Sequence, residues 1–151
     1  MRLLAALVAV ALVVALVVAW QRRDDEEPAG RSGRVTHVVD GDTLDLGRER
    51  VRVLGIDAPE RDECGYAAAS RAASALALER AVRLEPDPTQ ASRDRFGRTL
   101  AYVRLPDGRD LGEVLLRRGL ARTFVVGRPF ARVEAYREAE RAGRLVAPCP
   151  S

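Results

Sequence analysis

Two short acidic segments and two arginine positions are the parts of this sequence best suited to chemistry. The segments D-G-D at 40–42 and D-A-P-E at 57–60 each stand at the end of a β-rich run. If those runs lie in one sheet, the carboxylates can converge on one metal ion, and all-oxygen ligands suit a hard ion such as Ca²⁺ or Mg²⁺. Taken singly, the same patterns also fit a hairpin turn and an ordinary strand exit.

The arginine positions point to an anion. Arg52 alternates with Leu54 and Ile56 on a predicted strand, so its side chain shares the face that should be buried. A buried guanidinium needs an anion or a carboxylate as partner, although an edge arginine whose charge reaches solvent is the alternative. The segment D-R-F-G-R at 94–98 places two arginines around an aromatic ring and a glycine, which suits a bound phosphate.

Composition excludes several other kinds of protein. The chain has 151 residues with a formal net charge of +3, which excludes a strongly acidic protein, and 47% of its residues are hydrophobic, which excludes extended disorder. His37 is the only histidine, and it alternates with valines on the polar face of the first predicted strand. A histidine-based catalytic triad and a zinc cluster are therefore excluded.

The elements that must position these residues form a mainly β domain with helices. The patterns predict a hairpin at 34–46, further strands at 51–56, 81–86 and 98–105, and helices at 66–80, 111–119 and 129–143. Five short strands in this order, with about three packed helices, fit a five-stranded OB-fold barrel.

The N-terminus differs in character from the rest of the chain. Residues 3–20 are apolar throughout, long enough to cross a bilayer as a helix, so we expect a signal-anchor, transmembrane or signal segment at 1–21. A flexible polar linker at 22–33 and one domain at 34–151 should follow. This predicts a membrane-anchored, extracytoplasmic domain; secretion after cleavage near Ala19 and a buried soluble helix are the alternatives.

Two cysteines bear on the same compartment. Cys64 and Cys149 are the only ones, and in an exported protein an even number suggests a disulfide. Such a bridge would close a long loop and stabilise the fold by about 4 kcal/mol in the chain-entropy treatment. Two unpaired thiols are the alternative.

Three segments together resemble one known family. V-D-G-D-T at 39–43, R-V-L-G-I-D-A-P-E at 52–60 and D-R-F-G-R-T-L-A-Y at 94–102 match, in order and spacing, the signatures of the staphylococcal nuclease-like (thermonuclease) family. The resemblance covers roughly residues 34–145. It implies an OB-fold endonuclease that uses Ca²⁺ to hydrolyse phosphodiester bonds of DNA and RNA.

The resemblance also implies a role for each matching residue. The calcium ligands would be the Asp42 and Asp57 carboxylates and the Ala58 backbone carbonyl; the catalytic residues would be Arg52, Glu60 and Arg98; and substrate contacts would come from Arg95 and Phe96. Glu60 would be the general base, a carboxylate that orients or deprotonates the attacking water. The two catalytic arginines would hold the phosphate.

The sequence departs from the family pattern at several positions. Ala58 stands where a threonine is frequent, Phe96 replaces a tyrosine, and Val125 and Gly127 fall near positions of nucleotide-packing tyrosines. We therefore expect the chemistry to be retained and base contacts to differ. A non-catalytic OB-fold module that binds nucleic acid is the alternative function, and a surface domain that binds an anionic polymer or a partner protein is a third. We expect a monomer.

Overall fold

The computed structural model describes residues 30–144, in which eight strands and three helices are present. The strands are β1 (Arg31–Arg34), β2 (His37–Val38), β3 (Thr43–Leu46), β4 (Glu49–Val53), β5 (Ile56–Asp57), β6 (Ala81–Glu85), β7 (Thr99–Arg104) and β8 (Arg122–Thr123). The helices are α1 (Tyr66–Ala77), α2 (Leu111–Arg117) and α3 (Val133–Arg144).

Six strands form one mixed sheet in the order β1-β6-β7-β4-β3-β2, and β5 pairs with β8 in a second, two-stranded sheet. Only the β4–β7 pair is parallel. Strands β1 and β2 occupy the two edges, yet Val35 and Thr36 alone separate them. The sheet must therefore curl until its edges approach each other, which is consistent with the predicted OB-fold.

The first strand begins earlier than the sequence indicates. Residues 31–34 pair with β6, although 31–33 belonged to the predicted linker. At Val35 the chain changes partner: its amide and carbonyl bond to residues 79–80, whereas the Thr36 amide bonds to Asp45. The predicted hairpin at 34–46 is confirmed only for β2 and β3, which pair across the D-G-D turn.

The predicted strand at 51–56 is wrong as a single element, because Gly55 interrupts it. Gly55 has φ of +82°, and a Cβ there would lie 2.6 Å from the Phe130 ring. Only glycine combines that backbone conformation with so close an approach. The interruption separates β4 from β5, and it turns the chain so that Asp57 is the last residue of a second, short strand.

The helices lie where the sequence predicts them, with shorter bounds. Helix α1 ends at Ala77 and not at residue 80, because Glu79 adopts φ of +60° and the chain turns into β6. Helix α2 begins after Asp110, whose side chain accepts a hydrogen bond from the Glu113 amide. Helix α3 begins at Val133, four residues after the predicted start.

One hydrophobic core joins the curled sheet to the helices. Val35, Val51 and Val103 from the sheet and Leu115 from α2 are 0% exposed. Burying each such side chain stabilises the fold by roughly 1.5–3 kcal/mol. The core thereby fixes the strand ends from which the candidate site is built.

Some predictions fall on residues that the structure does not describe. The hydrophobic segment at 1–21, most of the predicted linker at 22–33, and Cys149 lie outside the described residues. Within residues 30–144, no helix has both the length and the apolar character needed to cross a membrane.

Candidate active site

A buried arginine joins two of the predicted metal-binding carboxylates. Arg52 lies on β4 opposite Thr43, the first residue of β3, so its side chain reaches Asp42 directly. Its Nη1 donates to Asp42 Oδ1 at 2.6 Å, and its Nη2 donates to Asp57 Oδ1 at 3.1 Å. The sheet register therefore brings Arg52 to Asp42, ten residues earlier, and the turn at Gly55 brings it to Asp57, five residues later.

Asp42 is fixed by hydrogen bonds to both of its carboxylate oxygens. Its side chain is buried; Oδ2 accepts from the Ala58 amide at 2.8 Å, and Oδ1 also accepts from the Thr43 hydroxyl at 3.0 Å. Burial raises the pKa of Asp42, whereas Arg52 and the Ala58 amide act in the opposite direction. These two donors offset only part of the effect of burial, so the pKa of Asp42 stays above its ordinary value.

The glycine of the D-G-D turn permits this close packing. A Cβ on Gly41 would lie 2.7 Å from the Ala58 Cβ and 2.9 Å from the Ala69 Cβ on α1. The Asp42 amide in turn donates to Asp40 Oδ1 at 3.0 Å, which stabilises the turn locally. Glycine at 41 therefore lets the carboxylate at 42 reach the Ala58 amide.

The three predicted catalytic residues meet at one cavity. A cavity of about 620 Å³ is lined by Arg52, Glu60 and Arg98, together with Asp57. Leu54, Leu100, Phe124, Val126 and Phe130 form an apolar wall on the same cavity. A cavity lined by four arginines and three carboxylates, with an apolar wall beside them, is suited to a ligand with both an anionic group and a flat ring.

Arg98 is oriented by a partner that sequence reasoning missed. Its Nε donates to Asp94 Oδ2 at 2.6 Å, while Asp94 Oδ1 accepts from the Phe96 and Arg98 amides. Burial raises the pKa of Asp94, but these donors outweigh it and lower the pKa overall. The signal was present in the sequence: an aspartate and an arginine at the two ends of D-R-F-G-R, closed by a glycine that takes φ of +80°.

The predicted substrate-binding residues lie at the rim of this cavity. Phe96 is 68% exposed, and the guanidiniums of Arg95 and Arg98 lie 4.7 and 5.4 Å from its ring centroid. Phe124, which sequence reasoning also missed, is 45% exposed, and the Arg52 guanidinium lies 5.7 Å from its ring centroid. Its only sequence signal is the apolar run at 124–126.

Glu60 and Cys64 lie in the loop between β5 and α1, and Glu60 lines the cavity. The Glu60 side chain is exposed, and its amide donates to the Glu63 carboxylate at 2.9 Å. Cys64 is disulfide-bonded, and the cysteine at 149 lies outside the described residues. The pairing of Cys64 with Cys149 therefore stays a prediction.

The donor set is chemically suited to a hard cation. Asp42, Asp57 and the Ala58 carbonyl offer only oxygen, which Ca²⁺ prefers, and the Arg52 bridge shows that the two carboxylates converge. Among residues 30–144, no group of three His, Cys, Asp or Glu side chains is arranged to hold a metal ion. A bound ion would therefore need water or substrate oxygens to complete its ligands.

Comparison with known proteins supports the resemblance seen in the sequence. Residues 50–145 match the family model described as staphylococcal nuclease homologue. Micrococcal nuclease of Shigella flexneri is 36% identical, over 94% of this chain and 84% of that protein.

Two further relatives match over shorter stretches. Thermonuclease of Staphylococcus intermedius is 37% identical over 67% of this chain and 64% of its own length. Endonuclease YncB of Bacillus subtilis is 35% identical over 60% of this chain, which spans 47% of that protein. The matched region contains the segments at 52–60 and 94–102 that carry the predicted catalytic residues. The chain therefore belongs to the family of staphylococcal nuclease homologues.

Proposed function

We propose that this chain is a Ca²⁺-dependent nuclease that hydrolyses phosphodiester bonds of DNA and RNA outside the cytoplasm, as a monomer. Family membership and the names of the relatives indicate a nuclease hydrolase of the staphylococcal nuclease type. The observation that carries the proposal is the cavity at which Arg52, Glu60 and Arg98 meet.

The two arginines answer the charge that develops on the phosphate. Attack on a phosphodiester increases the negative charge on its non-bridging oxygens, so fixed cationic donors lower the barrier. Arg52 is held by Asp42 and Asp57, and Arg98 by Asp94, so neither guanidinium has to be ordered when the substrate binds. Their planar donor groups suit two-point contact with phosphate oxygens.

Glu60 is the residue proposed to handle the attacking water. Its carboxylate is exposed at the same cavity, where it can accept a hydrogen bond from a water beside the bound phosphate. A carboxylate in that position orients the water and accepts its proton as the new P–O bond forms. The leaving oxygen then departs from the opposite side of the phosphorus.

Asp42, Asp57 and the Ala58 carbonyl are the residues proposed to hold the cation. When bound, Ca²⁺ neutralises charge on the phosphate as a Lewis acid. The buried Asp42, fixed by Thr43 and the Ala58 amide, supplies the rigid side of that donor set. Asp57 is 44% exposed in its side chain and supplies the side that faces the cavity.

The alternative of a non-catalytic binding module is not favoured. Such a module needs the basic and aromatic rim but has no use for a carboxylate that faces bound phosphate. Glu60 lies at the cavity with both arginines, so the complete set of proposed catalytic side chains is present.

Turnover of plain nucleic acid tests the proposal. We expect the full chain to cleave single-stranded DNA and RNA with Ca²⁺, to lose activity in EDTA, and to turn over more slowly with Mg²⁺, which is smaller and dehydrates reluctantly. Equal cleavage in EDTA would contradict the metal requirement. Binding without cleavage under every metal condition would favour the binding module.

The proposed compartment rests on the apolar run at 3–20 and on the oxidised state of Cys64. Thiol titration of the native chain, isolated without reductant, should detect no free thiol. Two accessible thiols would contradict both the Cys64–Cys149 bridge and this part of the argument for export.

A further inference from the structure

A second cavity adjoins the catalytic one and is strongly basic. Its volume is about 880 Å³, and it lies between the β3–β4 turn, strand β1 and the loop before β7. We call it the arginine groove; five arginines line it, namely Arg31, Arg48, Arg50, Arg93 and Arg98. None of the roles proposed above uses the first four.

The acidic residues of the groove do not cancel its charge. Asp45 and Glu49 are its only carboxylates, so the lining carries a formal charge of +3. Asp45 accepts from Arg50 at 2.8 and 3.0 Å, and Glu49 is paired with Arg31. Both acids are thus already engaged, and Arg98 is paired with Asp94, so Arg48 and Arg93 are the arginines most available to an outside anion.

Arg48 and Arg93 supply the surplus charge. Arg48 is exposed in the two-residue turn between β3 and β4, and no carboxylate of the described residues forms an ion pair with it. Arg93 is also exposed, and it donates to the Gly97 carbonyl at 2.7 Å. It helps to lower the pKa of Glu49, but that carboxylate is already paired with Arg31. Clustered guanidiniums that lack acidic partners are suited to phosphate groups.

The groove and the catalytic cavity share two lining residues. Phe96, Gly97 and Arg98 line the groove, and Phe96 and Arg98 also line the catalytic cavity. A chain that carries regularly spaced phosphates can therefore run from one cavity to the other across the exposed Phe96 ring. An exposed ring at that junction can stack on an unpaired base, which favours a single strand over a duplex.

We infer that the arginine groove binds the phosphodiester backbone of a single polynucleotide strand whose scissile phosphate lies in the catalytic cavity. This inference rests on the proposed nuclease function and adds a second contact region to it. Arg48 and Arg93 bind backbone phosphates beyond the cleaved bond, and Phe96 stacks on a base between the two regions. The enzyme then recognises a segment of strand and not only one phosphate.

Binding without cleavage tests the inference. The probe is a fluorescent oligothymidylate of about 20 nucleotides, long enough to cover one OB-fold site of about 4–16 nucleotides. Its anisotropy is measured with the full chain in EDTA over a range of salt concentrations. For Arg48→Gln we expect affinity at low salt to fall on the order of fivefold, and the slope of log K against log salt to become less steep by about 0.7, the value of one lost phosphate contact.

Two further variants keep the result independent of folding. Asp45→Asn removes a carboxylate and releases Arg50, so affinity should rise about threefold and the salt slope should steepen. A misfolded protein cannot produce that gain. Arg141→Gln removes the same charge from an exposed position on α3 that lines neither cavity, and it should leave affinity and slope unchanged.

The outcomes separate the groove from the nuclease proposal. If the wild-type chain cleaves DNA with Ca²⁺ while Arg48→Gln binds like Arg141→Gln, the groove is overturned and the nuclease proposal stands. A decrease in affinity with Asp45→Asn would also overturn the groove. If Arg48 controls binding but no metal supports cleavage, the groove stands and the nuclease proposal fails.

Discussion

Two clusters of arginines and carboxylates are built from the same chemical groups and differ in what surrounds them. The active-site cluster consists of Asp42, Arg52 and Asp57 and opens onto the catalytic cavity. The buried ion network consists of Glu85, Arg104, Asp110 and Arg132 and connects β6, β7 and the starts of α2 and α3.

The buried ion network is closed by the protein itself. Both oxygens of Glu85 accept from Arg104, at 3.1 and 2.9 Å, and Oε2 also accepts from Arg132 at 2.5 Å. Asp110 accepts from Arg132 and from the Tyr136 hydroxyl, each at 2.8 Å. The two carboxylate residues are 3% and 6% exposed. The carboxylate oxygens are thus shielded, whereas the Arg104 and Arg132 side chains are 34% and 30% exposed; neither arginine lines either cavity described above, so we interpret the network as acting within the fold.

The active-site cluster leaves one side open. Arg52 is 14% exposed in its side chain and Asp57 is 44% exposed, and both line the cavity. The inward-facing partner, Asp42, is as buried as the carboxylates of the network. Burial of an ion pair therefore does not identify a functional site. An oriented guanidinium that also lines a cavity is the more informative feature.

The largest loss of stability should come from removing one arginine of the buried ion network. Arg132→Gln leaves Glu85 and Asp110 buried with fewer donors, and removal of one partner from a buried pair costs about 3 kcal/mol. We expect urea unfolding to show that loss, while the rate of DNA cleavage per folded molecule stays within about twofold of wild type. A large loss of cleavage at unchanged stability would assign the network to the active site.

At Glu60 we expect a large loss of cleavage with little change in stability. Glu60→Gln keeps the size of the side chain but removes its basicity, so single-turnover cleavage should fall by at least about 10²-fold. Because Glu60 is exposed, the free energy of unfolding should change by less than about 0.5 kcal/mol. Oligonucleotide affinity measured in parallel should be unchanged or higher. Collapse of affinity with unchanged cleavage per complex would show that Glu60 is a structural residue.

A matched pair of conservative substitutions sharpens the comparison. Arg98→Lys retains charge but loses the planar donor group, and we expect cleavage to fall by about 10²-fold. Arg104→Lys makes the same change in the closed network, where it should cost about 1 kcal/mol of stability and leave cleavage unaffected. Similar activity losses in both variants would mean that the change acts through the fold and not through phosphate contact.

The smallest expected effect is the pH dependence of the free energy of unfolding. Burial raises the pKa of Glu85 and Asp87, but Arg104 and Arg132 on Glu85, and Thr89 and Tyr102 on Asp87, outweigh it and lower both. A lowered pKa contributes stability that is complete above the unfolded-state values, near 4, and is lost as pH falls through the folded-state values.

We therefore expect the free energy of unfolding to be about 1–2 kcal/mol lower at pH 3 than at pH 7. Asp87→Asn should flatten this dependence, because its contribution no longer titrates. Urea unfolding at several pH values measures it. An increase in stability on acidification would contradict the expected sign of the dependence.

The structure places the side chains that the sequence selected, Arg52, Glu60 and Arg98, at one cavity, while their catalytic roles stay predictions. The sequence could select such positions because they lie where an element ends or where alternation is broken. Arg52 interrupted an apolar face, and Asp57 stood before a proline that ends a strand. Their convergence depends on β3 and β4 being neighbours in one sheet, as the sequence analysis assumed for the two acidic runs. Family membership was likewise predictable, since three short segments kept their order and spacing.

Other features depended on tertiary contacts that no local pattern displays. The strand β1 (R-S-G-R) contains no β-branched residue, and its pairing with β6 is what makes it a strand. The break at Gly55 depends on the Phe130 ring, 75 residues later in the chain. No local pattern distinguishes Glu85 and Asp110 from surface acids; their enclosure depends on Arg132, which comes from the start of α3.

The change of partner at Val35 divides the chain into two short edge strands, which has a consequence for solubility. The sheet ends on strands of four and two residues, and exposed Arg31 and Arg34 lie on the longer of them. Short, charged edge strands offer little backbone for a second molecule to extend the sheet and start an aggregate. Loss of residues 30–34 would uncover the β6 edge, whose alternating apolar residues would then be open to intermolecular pairing.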